Sequence, residues 1–163
     1  MKKLLYVIAA ALCLVACESN APEGGDYVDL GLSSGTKWKS QNELNPNGPK
    51  HDFFTYDEAM ATFGKNLPTK EQWMELKKEC TWNWTGTGSK VIGPNGNFIT
   101  LPAAGFLYPD GHVDGKGSGG GYWSSTLDGS GNAWYLSFYY WTDTPNTGYY
   151  YGRSGGLSVR LVR

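Results

Sequence analysis

The chain has 163 residues, enough for one sizeable core once a short leader is set aside. With 7 Trp, 11 Tyr and 23 Gly it favours turns and broad aromatic surfaces over long helices, and it carries neither a collagen nor a coiled-coil period. Lys2 and Lys3 belong to the leader, which leaves 12 of the 14 Lys and Arg against 15 Asp and Glu, about −3, with no basic stripe; this argues against nucleic acid as a partner.

Lys2 and Lys3 form a positive start, and residues 4–15 are an apolar run too short to span a bilayer with ordinary flanks, the pattern of a signal peptide. Its end, Leu14-Val15-Ala16-Cys17, resembles the processing box of bacterial lipoproteins, in which the cysteine is lipidated and becomes the new N-terminus. The resemblance implies an outer membrane lipoprotein held by acyl chains on Cys17, with periplasm-facing and outward-facing states both open. The expected organisation is a leader at 1–16, a lipidated polar tether at 17–26 and one domain at 27–163.

Tyr27-Val28-Asp29-Leu30-Gly31-Leu32 alternates, and Ser33-Ser34-Gly35 turns it into Thr36-Lys37-Trp38-Lys39, which reads as an opening β-hairpin. A loop is expected at 42–52. Thr55-Tyr56-Asp57-Glu58 is a capping box for a short helix stopped by Gly64. A second box, Thr69-Lys70-Glu71-Gln72, opens a helix to about Cys80 with Trp73 and Leu76 inward. Glu71, Glu75 and Glu79 read as a solvated stripe on it rather than as paired catalytic carboxylates. Short strands follow at 90–92 and 97–101 around Gly93-Pro94-Asn95-Gly96, then a turn at Tyr108-Pro109-Asp110-Gly111. The Gly-rich run 117–121 reads as a flexible internal loop.

Residues 132–141 form a strand with Trp134, Leu136, Phe138 and Tyr140 on one face and Tyr135, Ser137, Tyr139 and Trp141 on the other. Leu136 and Phe138 mark the first face as core; the second needs another packing layer or solvent. A polar turn at 142–148 leads to Tyr149-Tyr150-Tyr151-Gly152-Arg153-Ser154, which has no aliphatic residue and suits a core poorly. Tyr, Trp, Asn and Arg in such a setting have the composition of a binding surface, since Tyr offers a large ring and a polar tip at low rotamer cost. The candidate ligand-binding residues are Tyr135, Tyr139, Trp141, Asp143, Asn146, Tyr149, Tyr150, Tyr151 and Arg153. The structural alternative for each tyrosine is a ring covering the core with its hydroxyl in water.

Other chemistry finds little support. His51 and His112 lack partners at zinc-ligand spacing. Asp110-Gly111-His112-Val113-Asp114-Gly115 suggests a calcium loop, but position twelve of that register is Gly121, so a pair of turns explains it better. Cys80, the one cysteine of the body, reads as a small buried apolar residue. No cofactor is expected.

Three segments together resemble the Fibrobacter succinogenes major paralogous domain: Leu67-Pro68-Thr69-Lys70-Glu71-Gln72-Trp73, Gly121-Tyr122-Trp123-Ser124-Ser125-Thr126, and Gly155-Gly156-Leu157-Ser158-Val159-Arg160-Leu161-Val162-Arg163. That family is related to the formylglycine-generating-enzyme branch of the C-type lectin fold, and Val28-Asp29-Leu30-Gly31-Leu32 is similar to its first strand. The resemblance covers nearly all of 27–163. It implies an α+β, C-type lectin-like fold with two helices, short antiparallel strands, long loops, and N- and C-terminal strands paired together. The enzymatic relatives use cysteine near the C-terminal end, and this chain has none after Cys80, which argues against formylglycine synthesis. Calcium lectins carry Glu-Pro-Asn or Gln-Pro-Asp; Asn45-Pro46-Asn47 and Thr144-Pro145-Asn146 lack the carboxylate.

The Ser-Val-Arg ending after a Tyr, Asn, Asp and Thr-rich stretch is also similar to targets of diversity-generating retroelements, whose variable positions lie on an exposed binding face. Trp141 fits that pattern less well, because an asparagine-type codon altered only at adenines does not give Trp. The leading expectation is a non-catalytic lipoprotein that binds a protein or glycan through its C-terminal aromatic loops. An envelope or pilus-associated subunit is the alternative of another class, and a formylglycine-generating-type enzyme the third.

Overall fold

The computed structural model describes residues 26–48, 50–142 and 144–163. The expected leader, Cys17, nearly all of the tether and Asp143 lie outside the described residues. Among the described residues no helix is long and apolar enough to cross a membrane.

Strands β1 (Tyr27–Asp29) and β2 (Lys37–Lys39) form the expected hairpin, with Tyr27 opposite Lys39 and the turn closed by Gly35 N–H donating to Leu32 O at 2.9 Å. The far edge of β2 pairs with the C-terminal segment: Trp38 bridges Val162, and Lys37 and Arg163 exchange two backbone bonds of 3.0 Å. After β3 (Phe54–Thr55) come helices α1 (Tyr56–Phe63) and α2 (Lys70–Glu79). Each opens on a complete capping box, Thr55 with Glu58 and Thr69 with Gln72. Gly64, at φ 50°, ends α1 where a side chain would be strained. α2 buries Trp73 and Leu76 as its spacing predicts. Its acidic stripe is not simply solvated: Glu75 accepts from Ser34 N–H at 2.8 Å and Glu79 from Ser33 N–H at 2.9 Å, pinning the first hairpin turn to the helix.

The second half is antiparallel sheet. Strands β4 (Thr81–Trp84), β5 (Gly88–Ile92) and β6 (Phe98–Pro102) form one meander, and β4 has no counterpart in the sequence reading. Strands β7 (Phe106–Leu107) and β8 (Val113–Asp114) form a small hairpin. The longest strand, β9 (Gly119–Leu127), pairs with β10 (Ala133–Tyr139), which pairs with β11 (Asn146–Tyr151) at the sheet edge. β12 (Gly156–Leu157) lies between β3 and β7. The architecture is α+β, two helices among small antiparallel sheets.

β9 is buried on both faces and divides the interior. Tyr122 points into a cluster with Trp38, Trp73, Leu136 and Phe138, while Trp123 points into another with Phe54, Leu67, Phe106 and Val159. The three segments that carry the family resemblance meet here. Trp73 Nε1–H donates to Trp123 O at 3.1 Å, Ser125 N–H to Pro68 O at 2.7 Å, and Trp123 N–H to Ser158 O at 3.1 Å. Arg160, 1% exposed, donates to Asn42 Oδ1, Lys39 O and Thr100 O at 2.9, 2.7 and 2.6 Å. Buried guanidinium charge is thus met by carbonyl dipoles.

The Gly-rich run also departs from its expected form. Residues 119–121 are buried strand rather than flexible loop. A Cβ on Gly121 would sit 2.5 Å from Phe106 Cε1 and 2.7 Å from Leu157 Cδ2, so glycine is there because neighbouring side chains occupy its space.

Candidate aromatic binding face

Strand β10 presents rings to both sides, and both sides are packed. Leu136 and Phe138 enter the first cluster. Tyr135 and Tyr139 are half-buried against the second, so the face expected to need a second layer has one. Phe106 is the hub: its ring lies 6.2 Å from Tyr135, 5.8 Å from Tyr139 and 6.4 Å from Tyr151. From this hub the rings continue outward. Trp141 stacks on Tyr139 at 4.5 Å and 20°, and Tyr108 meets Tyr151 edge-on at 6.3 Å. His112 in turn stacks on Tyr108 at 4.4 Å and 9°. Beside this end lies a shallow cavity of about 200 Å³ lined by Tyr108, Pro109, Tyr151, Gly152, Ser154 and Gly155.

The structure therefore brings together Tyr135, Tyr139, Trp141 and Tyr151 of the expected site, with Tyr149 directly across from Tyr135 on β11. Trp141 is 61% exposed and Tyr149 59%, so the free rings rim a face whose inner rings are held by packing. Tyr151 corrects the reading of 149–154 as unfit for a core. Alternation along β11 turns its ring inward against Trp123 and Tyr135, at 6.0 and 5.8 Å. Burial pushes the Tyr151 phenol up to about 12 and raises Tyr135 and Tyr139 above the usual range. These hydroxyls remain protonated donors near neutral pH.

Other expected residues lie elsewhere. Tyr150 points to the opposite side of the sheet, edge-on to Trp134 at 6.1 Å, where Lys70 Nζ stands 3.4 Å from the Trp134 ring centre. Trp134 is accordingly half-buried beneath a lysine rather than core. Tyr140, expected on the core face, is 59% exposed because the strand ends at Tyr139 and the chain turns, Thr142 N–H donating to Tyr139 O at 3.1 Å. Asn146 Oδ1 accepts from Gly148 N–H at 2.7 Å and shapes the start of β11. Arg153 pairs with Asp57 at the start of α1 and lies 5.3 Å from the Tyr56 ring centre, rather than beside the exposed rings Trp141 and Tyr149.

Phe106, Tyr108 and Trp123 are members of this face that sequence reasoning did not include. Phe106 and Tyr108 sit 38 to 45 positions from β11 and carry no local signal of it. For nucleophilic or metal chemistry the surroundings are poor. The half-buried Cys80 thiol is pushed up to about 11 by burial, with Glu79 and Glu75 acting in the same direction. Asp110 and Asp114 accept turn hydrogen bonds from His112 N–H and Gly115 N–H. Among the described residues no group of three or more His, Cys, Asp or Glu could hold a metal ion. No family model, curated protein or solved structure matches the chain.

Proposed function

We propose that the chain is a non-catalytic binding module, anchored to a bacterial outer membrane through lipid on Cys17, that recognises a protein or glycan through its C-terminal aromatic face. The observation that carries this reading is the graded burial of one ring system. Phe106, Tyr135 and Tyr151 are fixed by packing, while Tyr149 and Trp141 stand largely in solvent beside them. A rigid aromatic platform with free rings at its rim has the low ordering cost that recognition needs, and contiguous exposed rings are uncommon without a partner. A C-type lectin-like fold is part of the proposal, supported by the pairing of β2 with 161–163 and by the three motif segments meeting in the core. The retroelement-target reading draws support from Tyr149 and Tyr150, whose replacement leaves both buried clusters untouched.

The test is capture by the full-length chain, wild type against the double variant Trp141→Ala with Tyr149→Ala. A surface protein or glycan retained by the wild type should be lost from the double variant, with the unfolding midpoint within about 1 kcal/mol of wild type. Equal retention by both proteins would remove the aromatic face as the site. The edge position of β11 favours a second reading, a structural envelope or pilus-associated subunit in which this edge meets a neighbouring copy. Stable self-association in sedimentation, abolished by the same variant, would favour it.

A further inference from the structure

The inner end of the aromatic face has a chemistry of its own. The cavity of about 200 Å³ there has the rings of Tyr108 and Tyr151 as walls, set edge-on at 6.3 Å, with Pro109 and Ser154 among the residues that complete it. Tyr108 is held by His112, which stacks on it at 4.4 Å and is itself bonded through Nδ1 to Asp110 at 2.7 Å. Tyr151 is held by Phe106, Trp123 and Tyr135. Both walls are therefore in place before any ligand arrives, which lowers the ordering cost of binding.

Two carboxylates flank these rings. Asp110 follows Pro109 in the turn, and hydrogen bonds from His112 hold its carboxyl below the usual range. Asp114 stands directly opposite Phe106 in the β7–β8 pair, so the two side chains leave that hairpin on the same side. After burial, the neighbouring phenols and the Asp114 charge are what push the Tyr151 phenol up, and Asp114 acts on Tyr139 in the same direction. Arg153 and Lys116, the basic residues closest to these elements in sequence, are turned elsewhere: Arg153 pairs with Asp57, and Lys116 lines a separate cavity with Asp52. Other rings of the chain are capped by its own cations, Trp134 by Lys70 at 3.4 Å, Phe98 by Lys90 at 3.8 Å and Tyr27 by Arg163 at 4.5 Å; among the described residues no Lys or Arg stands over Tyr108 or Tyr151. Ring faces with carboxylates beside them attract a cation from outside.

The lining decides which cation. Its side chains offer ring faces, a pyrrolidine ring and hydroxyls, and neither Asp110 nor Asp114 is part of it. A primary ammonium or a guanidinium would exchange water for rings here and leave N–H donors unmatched. A quaternary ammonium has no N–H; its methyl groups meet the rings while its charge meets the carboxylates at longer range. A neutral group of the same shape would gain the packing alone. We propose that this cavity takes a quaternary ammonium group of the choline type, its methyls against Tyr108 and Tyr151, with Asp110 and Asp114 supplying the opposite charge. The inference rests on the reading of the aromatic face as a binding surface and names the chemistry that its inner end selects.

The experiment uses the full-length chain in a neutral polyoxyethylene detergent, which carries no ammonium group. Saturation-transfer NMR follows the protons of choline and of tetramethylammonium, with two comparisons: ethanolamine, and the carbon isostere of choline in which tert-butyl replaces trimethylammonium. Both quaternary cations should give a saturable response at millimolar concentration, and both comparison compounds should bind about fivefold or more weakly than choline. Tyr108→Leu, at an exposed position, should weaken choline by about the same factor. Asp114→Asn, which keeps the oxygen that accepts from Gly115 N–H at 2.8 Å, should weaken it by about threefold. No response to either quaternary cation, equal binding of the isostere, or an unchanged response in both variants would overturn the site. If the wild type still captures a partner that Trp141→Ala with Tyr149→Ala loses, such a failure falls on the cation site alone; equal capture by those two proteins would remove the aromatic face as well.

Discussion

Tyr151 shows how much one side chain takes from its surroundings. Its ring lies within 6.5 Å of Phe106, Tyr108, Trp123 and Tyr135, and burial pushes its phenol up to about 12. Tyr122, wholly enclosed in the other cluster, is likewise pushed up to about 12, and the Cys80 thiol to about 11. Each shift favours the protonated form in the folded state, because the anion loses water that the interior does not replace. With unfolded phenols near pH 10, the stability these groups contribute is complete below that pH and is lost as pH rises through their folded values. Urea midpoints should therefore fall as pH rises from about 9, where the unfolded thiol begins to ionise, to about 12, where the folded phenols do. An ultraviolet titration of the phenols should show a late fraction that ionises only as the protein unfolds. A midpoint independent of pH across that window would mean that these rings are open to solvent.

At the level of elements, β11 divides stability from recognition. Tyr151→Ala should cost about 3 kcal/mol, the usual penalty for emptying an aromatic site, read as a lower unfolding midpoint. Tyr149→Ala with Tyr150→Ala should cost less than about 1 kcal/mol; equal losses in the two cases would contradict the inward turn of Tyr151. What the sequence disclosed follows the same division. Both helices are legible because Thr55 with Glu58 and Thr69 with Gln72 satisfy helix ends within four residues, a wholly local arrangement. The opening hairpin is legible from its alternation and turn. β4 escaped because Thr81-Trp82-Asn83-Trp84 is only four residues long, although its period of two is the signal that would have found it. Residues 119–121 misled because glycine locally signals freedom, whereas here Phe106, Phe138 and Tyr139 fill the space a side chain would need. The candidate face was legible as composition in 135–153, but not the side of the sheet each ring takes. A register shift between Tyr135 and Ser137, and the turn after Tyr139, decide that.

The whole molecule is closed by its last described segment. Residues 156–163 supply β12 between β3 and β7, the partner for the outer edge of β2, and Leu157, Val159, Leu161 and Val162 for the two buried clusters. Removing residues 156–163 should abolish cooperative thermal unfolding followed by circular dichroism, since both clusters would open at once; a sharp transition in the truncated chain would show that they form without it. The same arrangement bears on timing. Arg160 reaches back to Lys39 across 121 positions, so contacts that complete the interior are among the longest the chain makes. For a chain that is threaded through a membrane pore as the proposed leader directs, neither half of the interior can shut while this segment is still in transit. On that proposal the interior would become rigid only after residues 156–163 had emerged.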